Sequence, residues 1–227
     1  MIITIASNCE DVGKSIIATN TAVLRTLVGR SALLIDIDPK RKSFEWAERR
    51  KQASVQPTIA ASSLKGKHLK QKFAELSAKY IDVIIDTDWR NTTGNQVALE
   101  LADMVIVPVA PGEGCVDNLK QMVRRIKAAR KSNPSLWTLI VIVRAKQVVP
   151  IMELDSIRCY VDRLPSTALA GTVIREHLAL HEAFSGNLSI FEYKPADQQA
   201  IAEMHNLYRA QKLRRAVLPS ITRLQRA

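Results

Sequence analysis

An apolar run at positions 2–6 leads into a polar loop that closes on Gly13-Lys14-Ser15, and a helical stretch follows from Ser15 to about residue 28. No other feature constrains the chain as tightly. A lone Gly-Lys-Ser is common by chance, but one placed between an N-terminal strand and a helix has a physical meaning. Backbone N–H groups of the loop and the helix N-terminus converge on an anion, with the positive end of the helix dipole behind them. In such a loop Lys14 reaches the β- and γ-phosphates of a nucleotide, and the Ser15 hydroxyl ligates Mg2+.

The rest of the chain repeats the strand-then-helix order. Apolar runs at 32–36, 83–86, 104–109, 139–143 and 168–174 read as strands. Segments 42–51, 64–79, 117–131 and 196–213 read as helices; in 117–131, Leu119, Val123 and Ile126 share one face. Near-continuous apolar strands suit a sheet buried on both sides. The expectation is therefore an α/β chain: a mostly parallel twisted sheet with helices on both faces. With no repeat and no low-complexity linker, residues 1–213 read as a single domain, and 214–227 as a basic, mobile tail.

Two strands end on acids, Asp36 and Asp86, and Asp38 follows two residues after the first. In an open α/β sheet the ligand lies beyond the carboxyl ends of the strands. With Ser15 beside them, the three carboxylates Asp36, Asp38 and Asp86 make a sensible set for metal binding and water positioning at one Mg-phosphate site. The alternative is that each acid only caps the helix that follows it.

Charge narrows the partner. The formal net charge is +11 and the pI about 9.8, which points to a polyanion: nucleic acid first, an anionic membrane surface second. Lys120, Arg124, Lys127 and Lys131 follow helical spacing, Arg125 and Arg130 widen the stripe, and no acid interrupts it after Asp117. Such a face suits phosphate-backbone contact without base readout, or it is simply a solvated helix. Arg214 and Arg215 add a second basic cluster. Aromatic content of 5% makes single-strand stacking a weak idea. Val217, Leu218, Ile221 and Leu224 form only a partial apolar face around Pro219, so membrane binding is the minor alternative. No apolar run approaches the roughly 18 residues of a span. Three cysteines without metal-site spacing fit a reduced, cytoplasmic setting. His177, His181 and His205 lack a metal partner set, and Trp46 and Trp137 read as packing residues.

Taken in order, the motifs resemble the ParA/MinD family of P-loop ATPases over residues 1 to about 205. That family carries K-G-G-x-G-K-[T/S] and then D-x-D-P; here stand Cys9-Glu10-Asp11-Val12-Gly13-Lys14-Ser15 and Asp36-Ile37-Asp38-Pro39. Asp82-Val83-Ile84-Ile85-Asp86-Thr87 looks like the Walker B strand, and Ala102–Pro108 like the strand after it. The resemblance implies a P-loop NTPase fold that binds ATP or ADP with Mg2+. It implies a nucleotide site of Glu10, Asp11, Val12, Gly13, Lys14, Ser15 and Ile16, with Asp86 and Thr87 beside it. Lys14 and Asp38 would be the catalytic pair. It further implies a nucleotide-dependent homodimer, non-specific binding to double-stranded DNA, and a partner that stimulates hydrolysis, an adaptor or centromere-binding protein. The expected role is plasmid or chromosome partition, or cargo positioning, in the cytoplasm at the nucleoid.

Half of the loop departs from that pattern. The family's first loop lysine, which crosses the dimer interface, is Cys9 here, and its two glycines are Glu10 and Asp11. Two acids beside a polyphosphate are costly unless cations offset them. Asp88-Trp89-Arg90 replaces the usual small turn after Walker B, where Trp89 would shape the pocket or an interface. Three readings stay open: weak binding with slow hydrolysis; replacement of the missing lysine by Lys40, Lys42 or Lys146; or a pseudo-ATPase that keeps the fold as a DNA- or partner-binding scaffold.

Overall fold

The apolar runs line up side by side. A computed structural model describes residues 1–64, 66–112, 114–145 and 151–212. Its strands are β1 (Ile2–Ile5), β2 (Ala32–Asp36), β3 (Ala60–Ser63), β4 (Asp82–Asp86), β5 (Met104–Val109), β6 (Trp137–Ala145) and β7 (Thr167–Arg175). They form one sheet in the order β3-β2-β4-β1-β5-β6-β7, and every pairing is parallel. The helices are α1 (Lys14–Leu27), α2 (Lys42–Gln52), α3 (Gly66–Ser77), α4 (Thr93–Leu101), α5 (Cys115–Ala129), α6 (Ile151–Val161), α7 (Leu178–Ser185) and α8 (Gln198–Lys212).

Alternate strand residues feed opposite faces. Ile3, Ile5, Leu34, Ile84 and Ile106 pack with Ile17 and Val23 of α1, Trp46 of α2, and Met204 and Leu207 of α8. Val105, Val107, Ile140 and Ile142 pack on the other face with Leu119, Val123 and Ile126 of α5. Leu33, Ile35, Val83 and Ile85 meet Phe73 and Ala98 there. Each fully buried Ile or Leu contributes about 1.5–3 kcal/mol, so two-sided burial is what fixes this sheet. The sheet is thus wholly parallel, and the helix-on-both-faces architecture stands as expected.

Two ends of the sheet differ. At the amino ends, the buried Asp82 carboxylate accepts from Arg25 at 3.1 Å and from the Arg30 guanidinium, 2.8 Å at Nη2. Arg25 also donates to Gln211 of α8 at 2.9 Å, which pins that helix to α1. Helix α1 stops at Gly29, whose φ of 79° lets the chain reverse toward β2. At the carboxyl ends, β1 lies between β4 and β5; the chain leaves β1 for α1 on one face of the sheet and leaves β4 and β5 for α4 and α5 on the other, which opens a crevice there.

The half-exposed Ala60-Ala61-Ser62-Ser63 forms an edge strand that the sequence did not reveal, because it carries no apolar run. Helices α4, α6 and α7 are likewise not among the helices that the sequence pattern predicts. Lys146, Arg214, Arg215 and the proposed tail at 214–227 lie outside the described residues.

Candidate nucleotide-binding site

The phosphate loop crosses the crevice at the end of β1. Asp11 has φ 52° and Gly13 φ 79°, so two of three consecutive residues are left-handed. Aspartate tolerates that region better than most side chains, which lets the loop turn without the missing glycine. A Cβ at Gly13 would meet nothing within 4 Å, so glycine serves its backbone angle there. Lys14 folds back and donates from Nζ to the Cys9 carbonyl at 2.8 Å. Only 8% exposed, its ammonium is disfavoured by burial and held by the charges of Asp86, Asp38 and Asp88. Val12 is buried in the core; Ser15 and Ile16 are half-buried at the start of α1.

The two strand-end acids are register partners, Asp36 opposite Asp86, and both are fully buried. Their environments diverge. Asp36 accepts from Asp38 N at 2.9 Å, and its other oxygen takes Ser43 N, Ser43 Oγ and Phe44 N at 2.8–3.0 Å. It therefore caps α2 from outside, where Arg41 provides no side-chain cap. Both oxygens of Asp86 lack a hydrogen-bond partner. Burial, followed by the Asp36 charge, pushes its carboxyl up to about 7. The Ser15 and Ser43 hydroxyls and the Lys14 ammonium oppose that rise, yet neither hydroxyl completes a hydrogen bond to it.

A buried carboxyl without partners is rare and costs stability. Beside the Ser15 hydroxyl it suits Mg2+, a hard cation that takes one or two protein oxygens and fills its shell with water and phosphate. Among the described residues no three His, Cys, Asp or Glu side chains converge as a cluster able to hold a metal alone, so phosphate oxygens would be needed. Thr87 is committed elsewhere: its Oγ1 lies 2.9 Å from the Ile5 carbonyl, to which it donates. Asp38 lies at the cleft and accepts from Lys40 N at 2.8 Å.

The departed half of the loop is neutralised from within. Lys40 pairs with Glu10, and Lys42 lies 3.7 Å from Asp11. Arg144 donates to the Asp11 carbonyl at 2.7 Å. These groups rim an open cleft of about 390 Å³ that also reaches Trp89 and His181. Of the three lysines expected as substitutes for the missing one, Lys40 and Lys42 are thus engaged by the loop's own acids, and Lys146 lies outside the described residues. Burial raises the Cys9 thiol's pKa, so it remains neutral and supplies no cation. Replacing both acids, Glu10→Gln with Asp11→Asn, should tighten ATP binding by about three- to tenfold in low salt and by less at high ionic strength, since exposed charges are screened. A titration with a fluorescent ATP analogue at two salt concentrations measures this; weaker binding would contradict the charge argument.

On α5, Lys120, Arg124, Lys127 and, just past its end, Lys131 are exposed, as the spacing predicts. Arg125 is a correction: it is 8% exposed and points inward. Its Nη1 donates to Asn8 Oδ1 at 2.7 Å and its Nη2 to the Arg90 carbonyl at 3.3 Å. Arg130 also turns in, donating to the carbonyls of Leu136, Pro165 and Ser166. The outward stripe is narrower than expected.

Two residues at the site were missed. Asp88, 3% exposed, stands two after Asp86, the same interval as Asp36 to Asp38; that repeat was the available signal. Arg144, next to last in β6, has a left-handed φ of 51°. His177, at the end of β7, lies 2.9 Å from both Asp197 and Glu203 and fastens β7 to α8. Trp46 stacks on Phe184 in the core at 6.5 Å.

Comparison with known proteins agrees with this fold. Residues 3–190 match the family described as the CobQ/CobB/MinD/ParA nucleotide binding domain. No curated protein matches by sequence alone. Among solved structures, a plasmid partition protein from Borrelia burgdorferi B31 bound to AMPPNP superposes with TM-score 0.71 at 20% identity, covering 92% of this chain and 96% of that one. The septum site-determining protein MinD of Pyrococcus horikoshii, complexed with Mg-ADP, gives 0.69 at 19% identity, covering 93% and 96%. Apo McdA from Cyanthece gives 0.69 at 14% identity, covering 91% and 98%. At these identities the likeness shows the fold.

Proposed function

This chain belongs to the CobQ/CobB/MinD/ParA nucleotide-binding family, and from that premise we propose that it is a partition or positioning ATPase that binds Mg2+-ATP, dimerises on it and holds DNA non-specifically. The observation that carries the nucleotide part is Asp86. It is fully buried, without hydrogen-bond partners, and faces Ser15 and Lys14 at the mouth of the phosphate loop.

In this reading, loop amides from Val12 to Ser15 and the start of α1 hold the phosphates. Lys14 leaves the Cys9 carbonyl for the β- and γ-phosphates. Ser15 and Asp86 would hold Mg2+, which would supply positive charge beside the phosphates. Asp36 keeps the 38–44 turn in place by capping α2, and Asp38 orients the attacking water. Structural relatives lend the cofactors: AMPPNP in the Borrelia protein and Mg-ADP in the Pyrococcus one. Two copies would meet face to face over the nucleotide, and an adaptor or centromere-binding protein would stimulate turnover. Plasmid partition is the default cargo, with the protein in the cytoplasm at the nucleoid.

DNA would lie on the exposed Lys120, Arg124, Lys127 and Lys131. Reversing two of them, Arg124→Glu with Lys127→Glu, should weaken duplex binding by at least about tenfold at 0.1 M salt and flatten its salt dependence. Anisotropy with two unrelated duplexes over a salt series checks this; unchanged affinity removes α5 from the interface. A second reading is favoured by Cys9 and by the engagement of Lys40 and Lys42: a scaffold that binds nucleotide with little or no hydrolysis. Single-turnover phosphate release with DNA present separates the two.

A further inference from the structure

We propose that Arg125 is a positioning residue that makes the basic face of α5 answer to the nucleotide site; this rests on the nucleotide-dependent DNA binding proposed above. Its guanidinium joins three parts of the molecule. Nη1 donates at 2.7 Å to Asn8, which precedes the phosphate loop at 9–15, and Nη2 to the Arg90 carbonyl of the turn after β4 at 3.3 Å. One helical turn earlier on α5, Gln121 accepts from Asn8 Nδ2 at 3.2 Å. Two side chains of α5, four residues apart, therefore grip one loop residue. The next residue in sequence to Arg125 is Arg124, which is exposed on the basic face.

The loop end of this connection changes partners when phosphate arrives. Without ligand, Lys14 Nζ is bonded to the Cys9 carbonyl, one residue beyond Asn8. A polyphosphate competes for that lysine and frees the carbonyl. The segment 8–9 then loses one of its ties, and its new position passes to α5 through Asn8 and Arg125. The turn end is also at the site: Asp88, which precedes Arg90 by two residues, bonds the Arg90 side chain and lies within electrostatic reach of Lys14. This is a contiguous chain of named contacts with a ligand-dependent bond at one end.

Stability alone does not explain an arginine here. It is 8% exposed, its Nε has no hydrogen-bond partner, and both Nη atoms donate to neutral oxygens, with the Asp88 charge nearby only partly offsetting the burial of the guanidinium. A buried guanidinium held by neutral acceptors costs more than an apolar side chain of similar volume would. Arg125 spans two loops that no apolar residue could join.

The test compares Arg125→Met, Arg125→Lys and Asn8→Ala with the parent. Duplex affinity is measured by anisotropy with and without Mg2+ and a nonhydrolysable ATP analogue, and analogue affinity is measured on the same proteins. In Arg125→Met and Asn8→Ala the ratio of the two duplex affinities should fall to within about twofold of one, while analogue affinity changes less than about threefold. Arg125→Lys, with one ammonium for two acceptors, should recover part of the ratio. A folded Arg125→Met that keeps the parent ratio overturns the proposal. So does a loss in Arg125→Met that Asn8→Ala does not share. If the parent's duplex affinity ignores nucleotide, the functional reading fails, and the strut is judged by amide exchange without ligand. Asn8→Ala should then speed exchange in α5 and in residues 88–92 together; unchanged exchange in either overturns it.

Discussion

Lys14→Ala should weaken ATP binding at least about 100-fold, equivalent to about 2.7 kcal/mol. The expected size follows from where the ammonium sits. It is 8% exposed, on the Cys9 carbonyl, and surrounded by the charges of Asp86, Asp38 and Asp88. Removing it deletes the one buried cation at the mouth of the loop, among the described residues, that could meet the phosphates. It also leaves the Asp38 and Asp88 carboxylates facing the phosphates without that cation. Lys14→Arg would keep the charge but not the reach, since a forked guanidinium does not fold into the space of a single ammonium. Calorimetric titration with Mg2+-ATP checks both variants. Alanine binding ATP within threefold of the parent would mean that nucleotide sits elsewhere, and the functional reading would fall with it.

The second large effect is a pH dependence in the metal-free protein. Burial lifts Asp86 from the ordinary value of 3.8 to about 7, so between those two values the folded chain holds a proton that the unfolded chain has released. Stability is therefore greatest below about pH 4 as far as this group is concerned, and it is lost as pH rises toward 7. Asp36 is also raised by burial and adds to the same slope. Asp86→Asn should flatten the slope and raise the metal-free midpoint at pH 8 by about 5 °C or more. The same substitution should abolish the extra thermal stabilisation that Mg2+ gives with ATP. Scanning calorimetry from pH 4 to 8, with and without Mg2+-ATP, measures both. A variant with the parent's slope would show that Asp86 does not hold this proton. The contrast matters because most acids stabilise in the opposite sense; Asp197, lowered by its hydrogen bond to the Ala200 amide, is one such group in this chain.

Much of this was legible in the sequence because it is local. Gly13-Lys14-Ser15 needs only a strand before it and a helix after it. Apolar runs ending at Asp36 and Asp86 place both acids at the carboxyl ends of their strands, and the parallel register then sets the two opposite each other. What stayed hidden depends on reach across loops. Helical spacing placed Arg125 in the basic stripe next to Arg124, yet its long side chain turns in to Asn8 and Arg90. The same limit hid the partners of Glu10 and Asp11, which come from a turn about 30 residues away. Asp36 was open between metal binding and helix capping, and only the position of Ser43 and Phe44 shows one of its oxygens capping α2, the other accepting from the Asp38 amide. Strand β3, made of alanine and serine, becomes a strand only because β2 offers it an edge.

The pairing of Glu10 with Lys40 and of Asp11 with Lys42 changes what kind of event phosphate binding is in this chain. A loop of glycines and a free lysine attracts an anion into an empty positive field. Here the cations already have tethered counterions, so the cleft works as an ion exchanger. An incoming polyanion must displace the resident carboxylates, and what it gains is only the difference between its charge density and theirs. Small univalent anions have little to offer such a site. The acids that weaken it as a trap sharpen it as a filter.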